Sequence, residues 1–263
     1  MKRFLTIAFF ALTFAVISST STSLAQDKWA TLKAKFVLNG KAPTPQKIDG
    51  SKDAICAPFN MLSEALVVDK EGNIQNMAIY MDKRSKVQDV HPDLKTPKEP
   101  TVTLDNIKCV FKPHVLFVRT GQTINVTNSD QTGHNANFSF FNNTPENFLI
   151  PAGGSKTKKV EAEEPAPIPV ECNVHPWMKA HIIVTEHPYV GISGSDGVIE
   201  IANLPVGEVT FKVWHESSEG SIDAATVNGK AEKWSRGKME ITLKPGMNDL
   251  GTIKIDASKF KAL

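Results

Sequence analysis

The sequence predicts an all-β protein built as two sandwiches, a larger one with an N-terminal strand extension followed by a small one. Three observations carry this expectation. Residues 29–38 alternate, with Ala30, Leu32, Ala34, Phe36 and Leu38 on one face, which is the period-two pattern of a half-buried strand. After residue 188, short apolar runs recur between turn signals at Gly197, Leu204-Pro205-Val206-Gly207, Asn228-Gly229 and Pro245-Gly246. No long helical periodicity follows the first 25 residues.

Residues 1–25 join a basic start (Lys2, Arg3), an apolar run over 4–17 and a small-residue end at Ser23-Leu24-Ala25. That is the layout of a secretory signal peptide ending near Ala25, and the run is short for a bilayer span. The expected location is periplasmic or extracellular, with no membrane span once the signal is removed. What remains suffices for one large or two ordinary domains, and two are expected, at 26–187 and 188–263.

Asn39-Gly40 with Pro43 and Pro45 ends the first strand. Residues 66–68 and 74–80 flank Asp69-Lys70-Glu71-Gly72-Asn73 and read as a hairpin with a glycine-containing turn. Residues 82–100 hold three prolines and little periodicity, and read as an irregular loop. Strands are expected at 101–104, 115–118 and 123–127. Residues 131–150 carry His134 and an aromatic group, Phe138, Phe140, Phe141 and Phe148, suited to filling a core beside a site. A turn at 151–154, a strand at 156–160, a stiff proline-rich linker at 165–169 and a closing strand at 180–185 complete the first unit. The second holds strands at 198–201, 209–214, 222–227, 239–243 and 251–255.

The chemistry concentrates at Glu171-Cys172-Asn173-Val174-His175-Pro176-Trp177-Met178. Cys172, His175 and Met178 fall within seven residues, and His134 lies 38 residues before the cysteine, room enough for a Greek-key return. One thiolate, two imidazoles and a thioether form the donor set of a blue-copper electron-transfer site. A structural zinc and plain core packing compete with this reading. Zinc fingers present paired Cys or His doublets, and only one is found here. Core packing leaves three donor types crowded into seven residues unexplained.

The copper loop resembles that of the cupredoxins in the short amicyanin form, Cys-x2-His-x2-Met. Residues 118–130, followed by Gly133-His134-Asn135, resemble the strand and loop bearing the first histidine of that family. Residues from about 50 to 216 are also similar to secreted planctomycete-type proteins described as methylamine-utilisation-like or carboxypeptidase-regulatory-like. The shared features are Cys-x-Phe-x-Pro-His-Val at 109–115, the 172–178 loop, His187-Pro188-Tyr189 and Trp214-His215-Glu216. The resemblance implies a Greek-key cupredoxin sandwich followed by a transthyretin-like one, and one type 1 copper held by His134, Cys172, His175 and Met178. It further implies that Asn135 braces the copper loop. His175 would lie near the surface as the exit for the electron, with Pro176 and Trp177 in an apolar docking patch for a redox protein partner.

Three cysteines in a secreted chain leave an odd thiol. Cys56 and Cys109 lie outside the loop and could pair in an oxidising compartment, leaving Cys172 free as a ligand. A disulfide to Cys172 would abolish the copper site. Among the other histidines, His114 could join Cys109 at a second metal, with strand packing the plainer reading. His181 and His187 read as surface or hinge residues, and Trp214-His215-Glu216 has no assigned chemistry.

The formal charge of +2 includes Lys2 and Arg3, so the remainder is balanced, which argues against a nucleic-acid binder. The sequence has no phosphate-cradling glycine loop, nucleophile elbow or carboxylate pair placed for acid–base work. A non-enzymatic electron carrier, monomeric or weakly associating, is expected. The rival is a cell-envelope binding or structural module whose copper is stored or vestigial.

Overall fold

The computed structural model describes residues 28–218 and 221–261, and the expected signal peptide at 1–25 lies outside them. Helical structure among the described residues is confined to three-residue 3₁₀ turns, and no helix is long and apolar enough to cross a membrane. The strands are β1 (Trp29–Asn39), β2 (Ala78–Met81), β3 (Thr101–Ile107), β4 (Val110–Lys112), β5 (Val115–Arg119) and β6 (Thr123–Asn128). Then follow β7 (His134–Phe138), β8 (Glu146–Ile150), β9 (Ser155–Lys159), β10 (Ile168–Glu171), β11 (Lys179–Thr185) and β12 (Val190–Ile192). The last are β13 (Val198–Pro205), β14 (Gly207–Trp214), β15 (Ala224–Val227), β16 (Lys230–Lys233), β17 (Lys238–Leu243) and β18 (Gly246–Asp256). The protein is all-β.

Four sheets pair into two sandwiches. One joins β5-β11-β10-β7-β8 to β4-β3-β6-β9 around a core that includes Leu104, Phe111, Val118, Ile124, Phe138, Ile150 and Ile182. The other joins β13-β1-β18-β15-β16 to β12-β2-β14-β17 around Leu32, Phe36, Ile74, Ile79, Phe211, Leu243 and Ile253.

The boundary expected at 187/188 is not a boundary between sheets. β1 lies between β13, its antiparallel partner, and β18, its parallel partner. β2 lies between β12 and β14. The N-terminal strands are thus central in both sheets of the second sandwich, and the first sandwich is inserted between them and their partners. The alternation of residues 29–38 reports a buried face truly, with every second side chain inward, but a period says nothing about which strand lies alongside. At Gly197, whose φ is +72°, an added Cβ would lie 2.5 Å from the Phe36 carbonyl oxygen. Only glycine lets that turn approach β1 so closely.

β2 is buried on both faces. Ile79 and Met81 enter the second core, while Ala78 and Tyr80 point the other way and meet Val115 of β5 and Ile183 of β11. Val190, Ile192 and Trp214 pack against that group. A small apolar seam therefore joins the two sandwiches.

His187 stands beside this seam and is buried, contrary to the surface or hinge role expected of it. Its Nε2–H donates to the Met81 carbonyl (2.9 Å) and its Nδ1 accepts from the Tyr189 amide (3.1 Å). Both nitrogens are used by the neutral ring. Burial pushes its pKa from 6.5 down to about 4. The unfolded chain takes the proton first as pH falls, so this contribution to stability is complete above pH 6.5 and is lost on the way down to about 4. His187→Gln, which keeps a donor and an acceptor without titrating, tests this by urea melts at several pH values. The native chain is expected to lose roughly 3 kcal/mol more than the variant across that window.

Candidate metal centre

A tight turn supports the centre. Lys108 and Cys109 both take positive φ (54° and 56°) and form the two-residue turn between β3 and β4, the mirror-image turn that suits strand twist. Asp130 caps it, accepting from the Lys108 and Cys109 amides at 2.6 and 2.8 Å. The same carboxylate reaches His134 Nε2 at 3.0 Å. The fold thus uses one side chain to fix a turn and to orient a histidine at the start of β7.

Cys172 follows the last residue of β10, and the loop after it is closed by backbone bonds from Cys172 N to Met178 O (3.1 Å) and from Met178 N to His175 O (2.8 Å). The donor atoms of His134, Cys172 and His175 all lie within 4.8 Å of one another. The two Nδ1 atoms face each other at 2.9 Å, and Cys172 Sγ lies 3.8 Å from His175 Nδ1. The Asn135 and His175 amides both point at the sulfur, at 3.5 and 3.4 Å. Met178 is fully buried in the same core.

Asn135 ties the loop to β7. Its Oδ1 accepts from the Asn173 and Val174 amides (2.7 and 3.2 Å), while its Nδ2 donates to Asn147 and Asn173 Oδ1 (2.7 and 2.8 Å). Phe138 stacks on Phe140 (ring centroids 5.3 Å) and meets Phe148 edge-on (5.7 Å). Phe141, expected with them, stands exposed instead, because its own amide and those of Asn142 and Asn143 turn inward to the buried Glu164 carboxylate.

Cys56 and Cys109 form a disulfide, and Cys172 is a buried free thiol. The disulfide pins the 49–62 loop over the centre and brings Asp53 to His175. Asp53 Oδ2 lies 3.1 Å from His175 Nε2 and accepts from the Thr132 hydroxyl at 3.0 Å. Its Oδ1 accepts from the Ile55 and Cys56 amides. Partial burial works to raise the Asp53 pKa, but the bonds from His175, the Ile55 amide and Thr132 prevail and hold it at about 2. Burial pushes His134 below the usual imidazole range, against the pull of Asp130.

This arrangement corrects one expectation. His175 is only 3% exposed; the Asp53 loop covers the edge that was expected near the surface. Pro176 is exposed, and Val174 is 55% exposed beside it. Trp177 is half-buried, its Nε1–H donating to the Cys109 carbonyl (3.1 Å) and its ring 5.1 Å from that of His175. The residues present fit a copper ion: a buried thiol and two buried imidazoles converge, each imidazole offers Nδ1 inward while a carboxylate holds Nε2, and the loop that carries two of these donors also buries the Met178 thioether. Ligating histidines are oriented by such outer partners.

No family model matches the chain, and no curated protein matches it. Solved structures similar to it include a methionine-to-alanine mutant of amicyanin in its Cu(I) form, at 15% identity over 34% of this chain and 85% of that one, with a TM-score of 0.29. An oxidized proline-to-alanine mutant of amicyanin is 17% identical over 32% of this chain and 82% of that one (TM-score 0.30). A copper-containing nitrite reductase from Thermus scotoductus is 22% identical over 37% of this chain and 25% of that one (TM-score 0.30).

Two residues of the centre escape sequence reasoning. Asp130 lies four residues before His134 and could have been suspected from that spacing. Asp53 is separated from His175 by 122 positions, and only the disulfide and the 49–62 loop bring it there.

Proposed function

We propose that this is a type 1 copper protein of the periplasm or cell exterior that carries single electrons between redox proteins and has no enzymatic activity of its own. His134, Cys172 and His175 would be the strong ligands and Met178 a weak one. The observation that supports this most is the convergence of three buried donors whose two imidazoles are each turned inward by an aspartate. Copper, when bound, supplies a one-electron Cu(I)/Cu(II) couple. The chain's part is to hold the ligands still, through Asp130, Asp53 and Asn135, and to keep water away with Phe138, Phe140 and Ile150. A fixed donor set limits rearrangement between oxidation states. The leader-like residues 1–25 and the disulfide support an oxidising compartment, and the cupredoxin-like loop supports the family assignment.

Val174 and Pro176 form the exposed apolar lip of the loop, and weak, transient redox contacts suit a small patch of this kind. Docking is assigned to this lip together with the free edge of Trp177. The second sandwich, transthyretin-like in its strand and turn pattern, serves as a contact module. Asp130→Ala is expected to weaken copper affinity about 10–100-fold, read by competition with a chromogenic Cu(I) chelator. An unchanged affinity would remove Asp130 from the account.

The cover over His175 favours a second reading, in which the copper is stored rather than exchanged. Stopped-flow oxidation of the Cu(I) protein by a small inorganic oxidant and by a redox protein separates the two. Rapid exchange supports the carrier. Tight copper binding with negligible exchange supports storage.

A further inference from the structure

Sequence reading offers His114 a metal partner in Cys109, which the disulfide to Cys56 takes up instead, and it leaves His181 and the Trp214-His215-Glu216 motif without metal chemistry. The fold brings three of these residues together where the two sandwiches meet. His114 immediately precedes β5, His181 lies on β11 on the face opposite the first core, and Glu216 follows β14 of the second sandwich. The donor atoms of all three lie within 4.8 Å of one another. Glu216 spans the pair, with Oε1 at 2.5 Å from His114 Nε2 and Oε2 at 3.1 Å from His181 Nδ1.

Burial and wiring set this apart from a chance surface cluster. The Glu216 side chain is 8% exposed and that of His114 is 7%. His114 Nδ1 is buried with no hydrogen-bond partner, while His181 Nδ1 has the Glu216 carboxylate beside it at 3.1 Å. A buried ring nitrogen left unsatisfied is costly unless something else takes its lone pair or proton. A second carboxylate, Glu64, stands 3.8 Å from His114 Nδ1, with Lys112 bonded to it on its outer side. A cavity of about 60 Å³ opens between Glu64, His114, Glu216 and Trp177, room enough for a water molecule.

We propose that His114, His181 and Glu216 form a second metal site, for a divalent first-row cation of the zinc or ferrous class, at the seam between the sandwiches. Two imidazoles and one carboxylate without a thiolate suit such cations. Three protein ligands leave at least one position for water, and the cavity beside His114 and Glu216 has room for it. Glu216 comes from one sandwich and both histidines come from the other, so the ion clamps the seam. The site shares no ligand with the copper centre, and this inference does not depend on the proposed electron-carrier role.

The test is Co²⁺ titration of the Cys172→Ser chain, which removes thiolate binding at the first centre, followed by visible d–d absorption and metal stoichiometry. One Co²⁺ per chain is expected, with weak d–d bands and no thiolate charge-transfer band. That ion is expected to be lost in Cys172→Ser/Glu216→Gln and in Cys172→Ser/His181→Asn, with circular dichroism confirming the fold. If the Glu216 variant does not fold, the His181 variant decides, its side chain being the more exposed of the three (16%). The proposal is overturned if Cys172→Ser binds no Co²⁺, or if binding survives His181→Asn. Loss of the copper spectrum with retention of this ion, or the reverse, tells the two centres apart.

Discussion

Residues 188–263 expressed alone are expected to stay unfolded in water. The fragment retains β12 to β18 but lacks β1 and β2, each the middle strand of its local trio. β1 sends Leu32, Phe36 and Leu38 into the core, and each such burial contributes about 1.5–3 kcal/mol. β2 and the residues before it add Leu66, Ile74, Met77, Ile79 and Met81. Together these match or exceed the whole stability of a typical domain, about 5–15 kcal/mol. β13 and β18 would also lose the ladder between them, exposing unpaired edges prone to association. Far-UV circular dichroism and urea melts of the fragment provide the check. A cooperative transition like that of the full chain would show that the second sandwich stands without its N-terminal strands.

Removing the disulfide has the next largest expected effect. Cys56 and Cys109 are 53 positions apart, and the chain-entropy account assigns a loop of that length about 4 kcal/mol. Cys56→Ala/Cys109→Ala is expected to melt at lower denaturant by about that amount. It has a second, local consequence. The 49–62 loop loses its anchor, Asp53 leaves His175, and the imidazole gains solvent access, measurable as faster carbethoxylation of His175. A destabilised variant whose His175 stays protected would mean that the loop is held by its own backbone bonds, such as Ile48 N to Met61 O and Ser63 N to Gln46 O.

Much of the local structure is legible in the sequence. The alternation of 29–38, the turn residues after 188 and the absence of helical periodicity yield the all-β class, because strand patterning is a local property. Cys172, His175 and Met178 announce themselves by density within one loop. Distant His134 is recovered from its motif-like neighbours Gly133 and Asn135, and the fold does bring it to Cys172 and His175. Partnership is harder. Nothing in the period of β1 says that it pairs with β18, more than 200 residues later, so the expected split at 187/188 followed chain order rather than pairing. Short strands such as β4, β12 and β16 are too brief for a period to show.

The residues that complete the candidate centre and the proposed seam site are hidden for the same reason. Asp53 reads as one of several acids in a polar loop. Glu216, His114 and His181 belong to three separate segments, and each alone is an ordinary polar residue. Their meaning arises only when β5, β11 and the end of β14 meet at the seam.

The most direct test of the proposed copper centre is the visible absorption and electron paramagnetic resonance spectrum of the chain from residue 26 onward after addition of Cu(II), with Cys172→Ser beside it. The predicted result is an intense thiolate-to-copper band with narrow copper hyperfine splitting in the native chain, absent from a variant that keeps its fold. A pale spectrum with wide splitting, no copper binding, or a band that survives in Cys172→Ser would contradict the assignment.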